Sequence, residues 1–182
     1  MAYGVIVESR IQATNIDALN RTAKCADAVA GGGLVALTPS GVQGDEVWTA
    51  EAPSTTMNGL WMAYNPAEHL TEVNGKLFAG LSKDPRDYAN VADRPFDVFK
   101  VEVGDELDLT IDCVDSTASS AVAGDILEAK AGQTTLTRVA AATGATADTT
   151  AFEIEYVGVA PFPQAGIGME QVTMFRVRCI QA

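Results

Sequence analysis

Few side chains in this sequence have the types and spacing that chemistry requires. His69 is the only histidine, in Asn65-Pro66-Ala67-Glu68-His69-Leu70. An imidazole can serve as a general base, but no serine or cysteine stands in a recognisable nucleophile signature, so His69 reads as a loop or surface side chain. The three cysteines, Cys25, Cys113 and Cys179, are widely spaced and form no Cys-x-x-Cys pair. A structural zinc site and a redox motif are therefore not expected. Carboxylates are abundant: Glu106, Asp108 and Asp112 project from one face of a strand-like run, and Asp84, Asp87 and Asp93 crowd one loop. Paired carboxylates can hydrolyse glycosides and clustered ones can bind calcium. Neither group has EF-hand spacing, so both read as solvated acidic faces. Gly31-Gly32-Gly33 lacks the Gly-Lys-Ser/Thr of a phosphate-binding loop. Trp48, Trp61, Tyr64 and Phe78 fall within one third of the chain, an aromatic set that suits either a sugar platform or a β-domain core.

The elements that would carry these residues are mainly strands. Leu107, Leu109, Ile111 and Cys113 alternate with Glu106, Asp108, Thr110 and Asp112, the pattern of an antiparallel sheet covered on one side. Residues 96–102 and 152–156 alternate similarly, and 171–180 predicts a long last strand in which Phe175, Val177 and Cys179 share a face. Cys113 and Cys179 then read as small buried hydrophobes in a reducing compartment; spacing does not decide whether they pair. Arg176 and Arg178 occupy the opposite face, placed to meet acidic residues on a neighbouring strand. Shorter strands are expected at 34–37, 46–50 and 60–64, with long ordered loops from about 65 to 95. Gly-Asp precedes a strand-like run at Gly44-Asp45, Gly104-Asp105 and Gly124-Asp125. The glycine supplies a permissive backbone angle and the aspartate caps the turn. From 116 to 151 the composition turns to Ala, Thr, Ser and Gly, which reads as exposed hairpin tips.

Residues 1–30 stand apart. Val5 to Val7 suggests a short strand, and Asn15 or Asp17 can cap a short helix over 17–24. Arg10, Arg21 and Lys24 lie here, a quarter of the 12 basic residues. The expectation is an extended N-terminal arm that lies on a partner, followed by a β-rich domain over 31–182 built as an antiparallel β-barrel or β-sandwich. A helix packed on its own sheet is the other reading.

The chain has 182 residues, with 24 acidic side chains against 12 basic ones and a net charge of -12. Such a field repels phosphate backbones, so nucleic acid is not an expected partner. No run of 18 or more apolar residues points to a membrane helix. The N-terminus has no positive region ahead of an apolar core and reads as mature protein, so the sequon Asn20-Arg21-Thr22 reads as chance.

The order of segments is informative. A short arm (MAYGVIVESRIQATNIDALNRTAKCADAV) precedes GGGLVALTP, then GDEVWTAEAP, GLWMAYNPAEHL and DPRDYANVADRPFDVFKVEVGDELDLTID. This layout over residues 1–112 resembles the decoration, or cement, proteins of tailed-bacteriophage heads. The resemblance implies a non-enzymatic protein that binds the outside of an icosahedral capsid and stabilises it, with no cofactor and no metal. It implies the major capsid protein as partner, a possible homo-oligomer (trimer or dimer), and a virion location after synthesis in the host cytoplasm. On that reading the arm makes the capsid contacts, through Val5, Val7, Arg10, Arg21 and Lys24. A carbohydrate-binding or head-fibre-type module, another virion β-subunit (tail tube or head closure), and a small carboxylate-based hydrolase are the alternatives.

Overall fold

The computed structural model describes residues 2–41, 46–55, 57–67, 69–73, 76–80, 82–163 and 168–182. Its architecture is mainly β, a closed barrel packed on an antiparallel sheet. Five strands close the barrel in the order β2 (Asn20–Cys25), β4 (Val47–Glu51), β3 (Leu34–Thr38), β5 (Trp61–Ala63) and β8 (Pro95–Lys100). The six-stranded sheet runs β1 (Ile6–Arg10), β9 (Glu106–Thr110), β13 (Met169–Gln181), β12 (Ala151–Pro163), β10 (Ile126–Glu128) and β11 (Thr137–Val139). A separate hairpin joins β6 (Leu70–Val73) and β7 (Lys76–Ala79).

Period-two alternation accounts for both cores. Ala23, Cys25, Val35, Ala50, Ala63 and Val98 point into the barrel, where five strands leave room for mostly small side chains. The intervening residues Leu34, Met62 and Phe99 point outward and pack on Leu107, Leu109, Phe152, Ile154, Phe175 and Val177 of the sheet. The barrel wall thus has two apolar faces. On the sheet's far face, Arg176 binds Asp108 through two hydrogen bonds of 2.8 and 2.9 Å. Arg178 reaches Glu153 and Glu155 at 3.4 Å. The expected cross-strand pairing of these arginines is therefore present.

Two Gly-Asp turns share one geometry. Gly104 and Gly124 have φ of 101° and 89°, a region that favours glycine. Asp105 and Asp125 each accept the amide three residues back, from Glu102 and Val122, at 3.0 Å. Gly104 and Asp105 bond Cys179 on β13, as Gly124 and Asp125 bond Ile154 on β12. Each turn therefore sets the register of the strand leaving it against one arm of the long hairpin. The third pair, Gly44-Asp45, lies outside the described residues.

Several expectations need correction. Residues 17–24 form no helix: a 3-10 turn covers Asp17–Leu19 and β2 begins at Asn20. Ala23 and Cys25 point inward while Lys24 points out, and hydrogen bonding to β4 and β8 outweighs a helix with so narrow an apolar stripe. Nor do the first thirty residues extend as an arm. β1 pairs with β9 and β2 completes the barrel. The 65–95 interval holds the β6–β7 hairpin and a 3-10 turn at Pro85–Asp87 as well as loops. The strand expected through Cys113 stops at Thr110 and becomes a 3-10 turn at Ile111–Cys113. Within 116–151, Leu127 and Leu136 are fully buried, so that stretch is more than exposed tips. All three cysteines are free and buried.

Candidate functional site

The chemically capable residues are used for packing and charge pairing. His69 stacks on Tyr88, ring centroids 4.4 Å apart and planes 5° from parallel. Burial pushes the thiols of Cys113 and Cys179 up to about 12, so neither is a thiolate at neutral pH. Among the described residues no three His, Cys, Asp or Glu side chains are grouped to hold a metal. The acidic strand face is balanced by arginines, Glu106 by Arg10 at 3.0 Å and Asp108 by Arg176. The acidic loop is dispersed: Asp84 is buried beside Arg86, and Asp93 meets Lys24 at 3.6 Å.

Arg86 is the centre the sequence did not reveal. It is 7% exposed and joins four segments. Its Nη2 lies 2.7 Å from Asp84 Oδ2 and also donates to the Glu170 carboxylate on β13. Its Nη1 lies 3.9 Å from Asp112 Oδ2, and its guanidinium stands 5.3 Å from the Phe162 ring centre on β12. Hydrogen bonding to Asp84, against the opposing effect of burial, and then to Glu170 raises its already high pKa. Burial raises the pKa of Asp112, and Arg86 partly offsets that. The local signal was Asp84-Pro85-Arg86: Asp84 caps a turn that has proline at its start, accepting the Arg86 amide at 2.9 Å.

Arg86 pins the base of a projecting ribbon. β10 pairs with β12 only at 151–153, and β9 with β13 only at 174–178. From Val157 and Thr173 outward, β12 and β13 pair, among the described residues, only with each other, out to Pro163↔Met169. One ribbon face, with Phe162 and Val172, covers Val5. The other carries Val159 and Met169, 67% and 60% exposed. Among the described residues no strand pairs with the outer edge of β12 over 157–163. Pro161 and Pro163 occupy that edge, where the missing N–H groups break no ladder bond. Val157 and Val159 share their parity and present the edge's remaining outward donors. Residues 156–163, Tyr-Val-Gly-Val-Ala-Pro-Phe-Pro, carry no charge.

The residues expected to touch a capsid divide between the two sheets. Val5 is 4% exposed, so it is a core residue and presents no contact surface. Val7 is exposed and Arg10 pairs with Glu106, both on β1. Arg21 and Lys24 belong to β2. The Arg21 guanidinium stands 5.9 Å from the Trp48 ring centre and 5.8 Å from that of Trp61. Tyr64 packs on Phe99 at 4.7 Å and donates to Asn20 Oδ1 at 2.9 Å. Burial, with Glu8 and Asp97 nearby, pushes its phenol up to about 12, so it stays a donor. Three of the four expected aromatics thus gather around β2, while Phe78 stands exposed on β7.

No protein-family model, curated protein or solved structure matches this chain.

Proposed function

We propose that this chain is a non-enzymatic structural protein of a virion, which binds the outside of an icosahedral phage capsid and stabilises it. The carrying observation is the β12–β13 ribbon, where β12 carries no charge over 156–163, has an open edge over 157–163 among the described residues, and presents exposed apolar side chains on a closed-barrel body. An open edge takes up an extended segment by strand addition, main-chain hydrogen bonds supplying affinity and flanking side chains selectivity. On this reading the major capsid protein contributes that segment. The adhesive element is then the ribbon and not the first thirty residues, which are committed to the body. Many copies on one shell make individually weak contacts effective. The net charge of -12 keeps the exterior away from nucleic acid. The resemblance of residues 1–112 to phage decoration proteins agrees with this role.

The experiment is co-sedimentation of the full chain with capsids lacking it, followed by heating. Wild type is expected to sediment with the shells and raise their disruption temperature. Val159→Pro removes one outward donor at a position whose parity matches Pro161 and Pro163; it is expected to weaken attachment while leaving the urea midpoint within about 0.5 M of wild type. A wild-type protein that neither sediments nor protects would overturn the proposal.

A further inference from the structure

We infer that the cavity beside Trp48 on the barrel wall binds a neutral saccharide. This inference does not rest on capsid attachment. The cavity measures about 740 Å³ and lies where β2, β4 and β8 meet the 3-10 turn Gln12–Asn15. That volume falls within the ~300–1,000 Å³ of small-molecule sites.

Its lining matches the chemistry of a pyranose, which has one apolar C–H face and a rim of hydroxyls that both donate and accept. Trp48 supplies a flat aromatic surface, Asp97 and Glu46 supply acceptors, and Arg21 supplies planar donors. Arg21 and Asp97 are held in place before any ligand arrives. The guanidinium of Arg21 stands within 6 Å of the ring centres of both Trp48 and Trp61, and Nη1 donates to the Asn20 carbonyl at 2.9 Å. Asn20 is tied to Tyr64 and to the carbonyls of Ala13 and Ile16. Thr22 donates to Asp97 Oδ1 at 3.1 Å, which fixes that carboxylate and leaves Oδ2 without a protein partner among the described residues. Arg21 likewise forms no ion pair among the described residues, although Asp97 and Glu46 line the same cavity. A cation and carboxylates kept apart around an aromatic face suit hydroxyl recognition. Two carboxylates against one guanidinium disfavour phosphate and acidic sugars.

Trp48 and Trp61 are the only two tryptophans of the chain, Trp48 lining the cavity and Trp61 standing beside its Arg21, so tryptophan emission excited selectively reports on the site. The full-length protein is titrated with methyl α-glucoside, methyl α-galactoside, methyl α-mannoside, N-acetylglucosamine and, as the acidic arm, N-acetylneuraminic acid. Concentrations run to about 50 mM, which covers millimolar affinities. At least one neutral sugar is expected to give a saturable emission change. Asp97→Asn, at an exposed position, is expected to weaken it about tenfold with the urea midpoint unchanged. Phe78→Ala, on the separate hairpin, is expected to leave it intact. Silence toward every neutral sugar, saturation by the acidic sugar alone, or equal binding by Asp97→Asn would overturn the inference. Since Asp97 is not on the ribbon, its replacement leaves capsid co-sedimentation unchanged, so the two proposals fail separately.

Discussion

Replacing Arg86 with methionine removes the one cation that pairs with three carboxylates among the described residues, while keeping most of the side-chain volume. Asp84, Asp112 and Glu170 all lie within 4 Å of the guanidinium, and the Arg86 and Asp84 side chains are 9% and 7% exposed. Breaking a buried pair by deleting one partner costs about 3–5 kcal/mol, because the remaining charge stays desolvated. Loss of the guanidinium over Phe162 adds roughly 0.5–2 kcal/mol. Glu170 is more exposed and contributes little. The expected loss at pH 7 is therefore about 4 kcal/mol, against a total stability of roughly 5–15 kcal/mol for a domain. With a urea slope near 2 kcal/mol/M, the midpoint falls by about 2 M. The pH dependence gives a second readout. Asp112 has a folded-state pKa above its unfolded value, so the folded state binds more protons between those two values. Stability contributed by this group therefore rises as pH falls through that window. Without Arg86 the carboxyl is raised further, and the deficit of Arg86→Met should shrink between pH 7 and pH 4.5. Urea unfolding followed by circular dichroism at both pH values measures this. A loss below 1 kcal/mol at pH 7, or a deficit that grows on acidification, would refute the reasoning.

Asp125 accepts from Arg138 at 2.7 Å and from the Val122 and Ala141 amides, and the Arg138 bond holds its carboxyl below the usual range. Asp125→Ala is expected to cost about 2–3 kcal/mol at pH 7. Because the folded pKa is depressed, that stability is present above the unfolded value and is lost as pH falls through the folded one, so thermal melts of wild type and variant should begin to draw together only below about pH 4. Native protein at pH 8 is expected to leave Cys113 and Cys179 unreactive toward an aromatic disulfide reagent, with all three thiols titrating in denaturant. Truncation of residues 2–25 removes β1 and β2, opening the barrel and uncovering Leu109. The truncated chain should bind a hydrophobic dye and lose its cooperative urea transition; a retained sharp transition would contradict the closed barrel.

Much of the sheet was legible because its strands bury one face. In β9 and in the inner part of β13, every second residue is apolar, and that pattern admits only one orientation. The Gly-Asp turns were legible for a local reason, a backbone angle and an amide cap. The outer ribbon was not. Residues 157–163 mix valine, glycine and proline without alternation, and only pairing with β13 makes them a strand. The N-terminal segment failed in the opposite direction. Its composition permits a short helix, and the partners that make it strand, β4 and β8, lie 22 or more residues further along the chain.

Strand content, an acidic exterior, the turn positions and the core face of the central strands follow from sequence alone, since each depends on neighbours within a few residues. The barrel's closure, the Arg86 cluster, the open edge of β12 and the cavity beside Trp48 were decided by tertiary structure. Each joins groups far apart along the chain, such as Asp84 with Glu170 or Arg21 with Trp61, and no local pattern records which distant segments meet.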